Sequence, residues 1–463
     1  MPFPLTADWF VEAEGVVAAT APVALWVQGG PGGSSMTGMW TENMGPFALD
    51  LDALDTDPPT LRRSQSPWTA AAHMLFWEAP AGVGFSYCDG GGKCPHYNDT
   101  TAAEDNAATI CAWLELFPEF KGHPFYMIGE SYAGVYIPTA ALTLIDSGLC
   151  GGQLNLSGLM IGNGCTGTDA GTCSPGRHTF TIEHLYQQAM ISQPTKASID
   201  TLCADSMGLT MPSALCARAL TRASDEAGAY NNYNVHDTCG PPTLTLADAL
   251  CDAHGWGWAC SHVGRDPPAG RSLGSIRRGY REHDISRRGP SRQRPAVQPA
   301  GQPTGTKPPR QPENYHCGGE DAMAAYLSRA DVQAAAHVRP QPSWPGSDIE
   351  YSRSWPNLLV SPGYPDLIAN PRLRVLIYSG DFDGQIPHCG TEEWTRGLGV
   401  PLASNTSYYR PWKLANGQVA GRVVYYSNDF AYATVAGAGH MVPTFKPTEG
   451  FELFRRFLAG GQY

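Results

Sequence analysis

The sequence predicts an α/β fold: a mostly parallel sheet with helices on both faces, interrupted by a helical, disulfide-braced cap. Three observations carry this. Short β-rich apolar runs recur at 22–27, 74–77, 124–128, 159–161, 374–378 and 430–435, each closing on a Gly-containing turn. They lack the strict alternation of a one-sided sheet, and helical stretches separate several of them, as expected of buried parallel strands. Between Gly167 and about Gln333 the pattern becomes helix-like, at 182–190 and 198–209, with six cysteines from Cys203 to Cys317.

In chain order, residues 1–166 form the first part of the core, 167–333 the cap insertion and 334–463 the second part. Within the cap, 264–312 is rich in Arg, Pro, Gly and Ser and has few apolar residues to offset ordering entropy, so a disordered surface loop is expected. The last element, 449–458, carries apolar residues at 451, 453, 454, 457 and 458, a helical stripe that would close the core.

With 463 residues, 42% hydrophobic and 16% charged, the chain is globular rather than collagenous, coiled-coil or wholly disordered. Net charge is −12, from 31 basic and 43 acidic residues. Residues 265–310 hold 11 of the basic and 3 of the acidic ones, leaving 20 against 40 elsewhere. A globule that acidic repels phosphate backbones, so no nucleic acid partner is expected. No apolar run reaches the length of a membrane span.

Thirteen cysteines suit the secretory route, where Asn98, Asn155 and Asn405, each in an Asn-X-Ser/Thr triplet, would accept glycans. No signal peptide is visible at Met1, so the start is expected to lie upstream. Cys251, Asp252, His254, Cys260 and His262 have the residue types of a zinc site but the spacing of no familiar one; no metal and no cofactor are expected.

The chemistry-bearing signal is Gly129-Glu130-Ser131-Tyr132-Ala133, where an apolar strand enters a sharp turn with serine at its apex. That geometry lifts a hydroxyl clear of the backbone above a helix N-terminus. The usual fifth-position glycine is replaced by Ala133. A serine needs a base oriented by an acid, in the order Ser, Asp, His. The strand ending Gly380-Asp381-Phe382-Asp383 offers two carboxylates, and the one ending Gly437-Ala438-Gly439-His440 offers an imidazole. Gln28-Gly29-Gly30-Pro31-Gly32-Gly33 supplies amides that can approach a substrate closely, and lacks the lysine and spacing of a phosphate loop.

Together these segments resemble the serine carboxypeptidases, of the α/β-hydrolase fold. The likeness continues through 76–87, 158–164 and 331–333 and covers nearly all of the chain outside 264–312. It implies Ser131 as nucleophile, His440 as base and Asp383 as its orienter, with Asp381 structural. It also implies an oxyanion hole from the amides of Gly30 and Tyr132. Gln28, Gly29 and Glu130 would bind the substrate's terminal carboxylate, Glu42 sharing a proton with Glu130. Such a cluster can hold a third carboxylate only while protonated, so activity at acidic pH is expected.

Gln28 stands where the family usually has Asn, and Gly33 where it has Cys, so one family disulfide should be missing or rearranged. Residues 9–14 resemble an early family strand whose predecessors are absent here, which would expose a sheet edge. The implied function is release of C-terminal residues from peptides and proteins through an acyl-enzyme. An acyltransferase and an inactive binding or stabilising protein are the alternatives. A vacuolar, lysosomal or extracellular setting, a homodimer and cutting at Arg277-Arg278 or Arg287-Arg288 would also accord with the family.

Overall fold

The computed structural model describes residues 4–5, 8–50, 59–88, 94–204, 213–237, 245–247, 250, 319–344, 346–347, 349–404, 406–461 and 463. Its centre is a nine-stranded sheet of β1 (Asp8–Val11), β2 (Val23–Val27), β3 (His73–Trp77), β4 (Pro124–Glu130), β5 (Asn155–Gly162), β6 (Arg374–Gly380), β7 (Arg410–Lys413), β8 (Val419–Tyr425) and β9 (Phe430–Val435). The spatial order is β7-β8-β9-β6-β5-β4-β2-β3-β1. The six runs read from the sequence are the six strands paired in parallel. The antiparallel β1, β7 and β8 sit at the two sides, β1 forming one edge beside β3.

Residues alternate between two apolar layers. Val23, Leu25, Val27, Phe125 and Met127 join the layer covered by α1 (Asp99–Leu116) and α2 (Ala133–Ser147). Ala24, Trp26, Tyr126, Ile128 and Leu376 join the opposite layer, closed by α6 (Pro447–Ala459). Because both pleats are covered, no polar alternation survives in these strands. The helical stripe read at 449–458 is present, but Leu453, Phe454 and Phe457 carry the burial while Phe451 and Leu458 are half-exposed.

Between β5 and β6 lie α3 (His178–Gln187), α4 (Gln193–Leu202) and α5 (Ala214–Ala227). They enclose their own apolar cluster, with Ile182, Leu185, Ile199 and Leu220 at its centre. Both helices read from sequence begin earlier than expected. In α4 the reason is Pro194 in the first turn, where a missing amide hydrogen costs nothing; residues 205–212, the end of that reading, lie outside the described residues. So do the loop 264–312 with its arginine pairs, the Cys251–His262 stretch and Asn405. Asn98 caps α1, its Oδ1 accepting from the amides of Thr100 and Thr101 at 3.0 Å, and Asn155 is exposed.

Disulfides join Cys88–Cys94, Cys111–Cys150, Cys165–Cys173 and Cys203–Cys216, the last bracing α4 against α5; Cys389 is free. No described helix is long and apolar enough to cross a membrane.

Phe454 is fully buried and stacks on Trp68 with ring centroids 4.2 Å apart. Phe454→Ala should lower unfolding free energy by about 3–5 kcal/mol, seen as a lower denaturant midpoint at unchanged slope.

Candidate active site

Parallel strands end together, and that is what gathers the site. Ser131, Asn163, Asp383 and His440 follow the C-terminal ends of β4, β5, β6 and β9, which are adjacent in the sheet. Ser131 has φ +62°, the left-handed conformation of a sharp strand-to-helix turn. Its carbonyl accepts from the amides of Gly134 and Cys165 at 3.0 and 2.9 Å, so the Cys165–Cys173 bridge lies against the turn. A Cβ on Gly129 would sit 2.2 Å from the Val27 carbonyl and 2.7 Å from the Ala133 methyl. With glycine at 129, the alanine at 133 is tolerated.

Asp383 is fully buried and saturated with donors. Its Oδ2 lies 2.7 Å from His440 Nδ1 and accepts from Asn163 Nδ2 at 2.6 Å. Its Oδ1 accepts from the amides of Gln385 and Ile386 at 2.7 and 3.1 Å. A carboxylate at Nδ1 keeps the proton there and presents Nε2 as the base. Burial disfavours a charged imidazole, but the attraction and hydrogen bond of Asp383, with a smaller pull from Glu130, leave the His440 pKa above its ordinary value.

The imidazole is held from the cap side too. The His440 amide donates to the Tyr233 carbonyl at 2.6 Å, and the Tyr233 ring lies edge-on to it at 5.1 Å. Asp381, the other acid of its turn, accepts from the Gly437 amide at 2.6 Å and so ties the two loops together.

The glycine loop after β2 lies against the serine turn. A Cβ on Gly29 would be 2.4 Å from the Tyr132 amide nitrogen and 2.5 Å from Ser131 Cβ. Only glycine lets these backbones meet. Gln28 Nε2 donates to Glu130 Oε1 at 2.8 Å, and Trp26 Nε1 donates to Gln28 Oε1 at 3.2 Å, so the longer side chain still delivers its amide to the acid.

Glu130 and Glu42 are both fully buried. Burial foremost, then the charge of Glu42, raises the Glu130 pKa well above the carboxylate range, against smaller opposing effects of His440 and Gln28. The phenol of Tyr378, buried on β6, is pushed up by burial and by the same two acids, which places it beside them.

Three features were not assigned a role from sequence. Asn163, in the Gly162-Asn163-Gly164 turn, fixes the Asp383 carboxylate. Glu78 underlies the glycine loop: the Ser34 hydroxyl donates to its Oε1 and the Phe85 amide to its Oε2, the latter at 2.6 Å. Asp99 accepts from the Tyr132 and Tyr351 hydroxyls at 2.7 and 2.8 Å and from the amides of Ser354 and Trp355 at 2.5 and 2.6 Å. Only the side-chain amide in a Gly-Asn-Gly turn was a visible cue, since apart from the Glu78–Phe85 pair every partner is 33 or more positions away. Among the described residues no cluster of three His, Cys, Asp or Glu could hold a metal.

Comparison with known proteins decides the family. Residues 9–460 match the family described as serine carboxypeptidase. The chain belongs to the serine carboxypeptidase family. It is therefore a serine-type carboxypeptidase by class, a hydrolase of the exopeptidase kind. It is 29% identical to serine carboxypeptidase 1 of Hordeum vulgare, over 95% of this chain and 84% of that protein. It is 30% identical to the lysosomal protective protein of Mus musculus, over 97% of this chain and 86% of that one. Among solved structures, the prohormone-processing carboxypeptidase Kex1 of Saccharomyces cerevisiae superposes with a TM-score of 0.64 at 16% identity, covering 99% of this chain and 87% of that chain. The fold is the α/β-hydrolase fold.

Two tests follow from the geometry. Asn163→Ala removes one of the donors to the buried Asp383, and the rate of Ser131 labelling by a fluorophosphonate should fall roughly 10- to 100-fold, with a melting transition that stays cooperative but shifts to lower temperature. Stability should also depend on pH. Burial raises the Glu78 pKa to about 7 and Glu130 is raised as well, so between about pH 4.5 and 7 the folded chain holds protons that the unfolded chain has lost. Stability is greatest at the acid end and declines as pH rises. The urea midpoint should be lower at pH 7.5 than at pH 5, and Glu78→Gln should flatten the slope.

Proposed function

We propose that the protein removes single residues from the C-termini of peptides and proteins through an acyl-enzyme on Ser131. His440, oriented by Asp383, takes the serine proton as the hydroxyl attacks the last peptide carbonyl and returns it to the leaving amine. The amides of Gly30 and Tyr132 stabilise the oxyanion, and water then attacks the ester by the same base. Neither metal nor organic cofactor is required.

The observation that carries exopeptidase over esterase or endopeptidase is the buried Gln28–Glu130–Glu42 cluster beside the nucleophile. A substrate carboxylate entering it needs a proton on the pair, and Gln28 and the Gly29 amide complete the recognition. The disulfides fit the secretory pathway; a vacuolar, lysosomal or extracellular location, with glycans at Asn98, Asn155 and Asn405, belongs to the same proposal.

The pH signature follows from two opposed requirements. His440 must be neutral to act as base, while the acid pair must be protonated to admit the substrate terminus. A peptide with a free C-terminus should thus be hydrolysed best at a lower pH than the same peptide amidated at its C-terminus, which does not need the shared proton. Its KM should rise as pH increases from 5 to 8, and Ser131→Ala should abolish both reactions. Coincident optima for the two substrates would overturn the shared-proton assignment. Faster acyl transfer than hydrolysis in the presence of a small alcohol would favour the acyltransferase alternative, and no Ser131 labelling would favour the inactive one.

A further inference from the structure

Arg353 lies on the segment between the cap and β6, and its guanidinium is half-buried beside the oxyanion loop. Its Nη2 donates to the Gly30 carbonyl at 3.2 Å, and its carbon centre lies 4.8 Å from the centroid of the Tyr132 ring. The two residues it touches are those whose amides face the substrate carbonyl in the reading above. No ion pair among the described residues involves Arg353, and its Nε is buried with no hydrogen-bond partner. Asp99 is near, but the hydroxyls of Tyr132 and Tyr351 and the amides of Ser354 and Trp355 occupy its oxygens. Those bonds also pin the Tyr351 side chain on one side of Arg353 and the Ser354 and Trp355 backbone on the other to the helix that starts at Asp99. The result is a pre-oriented cation with donors to spare.

We infer that Arg353 is a specificity-determining residue that selects peptides with Asp or Glu at the penultimate position. The inference rests on the carboxypeptidase reading. In that reading the substrate's terminal carboxylate meets Gln28 and Glu130, and the scissile carbonyl meets Gly30 and Tyr132. The residue donating that carbonyl then continues beyond Gly30, away from Gln28, and Arg353 stands at Gly30. Guanidinium is suited to the task, because its planar fork matches a carboxylate with two parallel hydrogen bonds. The nearby carboxylates of Asp99 and Asp383 would repel an acidic side chain elsewhere in the site, so the preference depends on this one cation.

The test is release of leucine from three blocked dipeptides that differ only in carrying Glu, Gln or Lys before it. The wild-type protein should favour Glu over Gln by roughly tenfold in kcat/KM, and disfavour Lys. Arg353→Met should erase the Glu preference while leaving the Gln substrate within about threefold, and Arg353→Glu should turn the preference toward Lys. Equal cleavage of all three by the wild type, or an equal loss on all three in Arg353→Met, would overturn the assignment in favour of a scaffold role. The wild-type comparison stands even if a variant fails to fold. Failure to release leucine from any of the three would instead overturn the carboxypeptidase reading, and this inference with it.

Discussion

A carboxylate buried beyond the reach of water must be given donors by the protein, and Asp383 imposes that demand on the whole site. An uncompensated buried charge costs several kcal/mol, so the fold has to bring hydrogen bonds to it from elsewhere. They come from the turn after β5, from its own turn after β6 and from the imbedded imidazole after β9. Three strand ends are thereby fixed relative to one another. The sheet order β9-β6-β5-β4 places the serine turn next in line. Satisfying one buried acid and bringing these strand ends together are the same structural problem.

The second group of acids is treated in the opposite way. Glu130 receives one side-chain donor, Gln28, and has another carboxyl beside it, so burial and like charge favour its protonated form. Glu78, which underlies the glycine loop, has two donors and is still raised to about 7 because burial dominates. Acids at the ends of strands two apart in the sheet, Glu130 ending β4 and Glu78 following β3, are thus both held toward the protonated form, in contrast to Asp383 with its full set of donors. Holding protonated carboxyls near neutrality costs stability as pH rises.

Much of this was legible in the sequence for physical reasons. The six central strands announced themselves because covering both faces leaves short unbroken apolar runs ended by turns. Two of the outer strands did not, since β7 and β8 carry exposed residues such as Pro411, Lys413 and Arg422 and were hidden among polar positions. The serine turn, the two acids and the histidine were readable because each closes a strand with glycines. Asn163 and Asp99 were not readable as positioning groups: Asn163 acts on a residue 220 positions away, and Asp99 on residues some 255 away. The departure at Gln28 was readable but its consequence was not; only the distances to Glu130 and Trp26 show that the extra methylene is absorbed.

Asp99 suggests how such a site can vary in what it accepts without disturbing what it does. Its hydrogen bonds rigidly connect the segment at 351–355 to the hydroxyl of Tyr132, the residue after Ser131. Because the backbone is anchored at Tyr351, Ser354 and Trp355, the side chain at 353 is free of structural duty apart from one carbonyl and one ring face. A change there alters the charge presented beside the oxyanion loop, while the donors to Asp383, which come from other strands, are untouched. The hydrogen bonds around Asp99 and those around Asp383 are therefore separate sets that meet only at the turn of Ser131 and Tyr132.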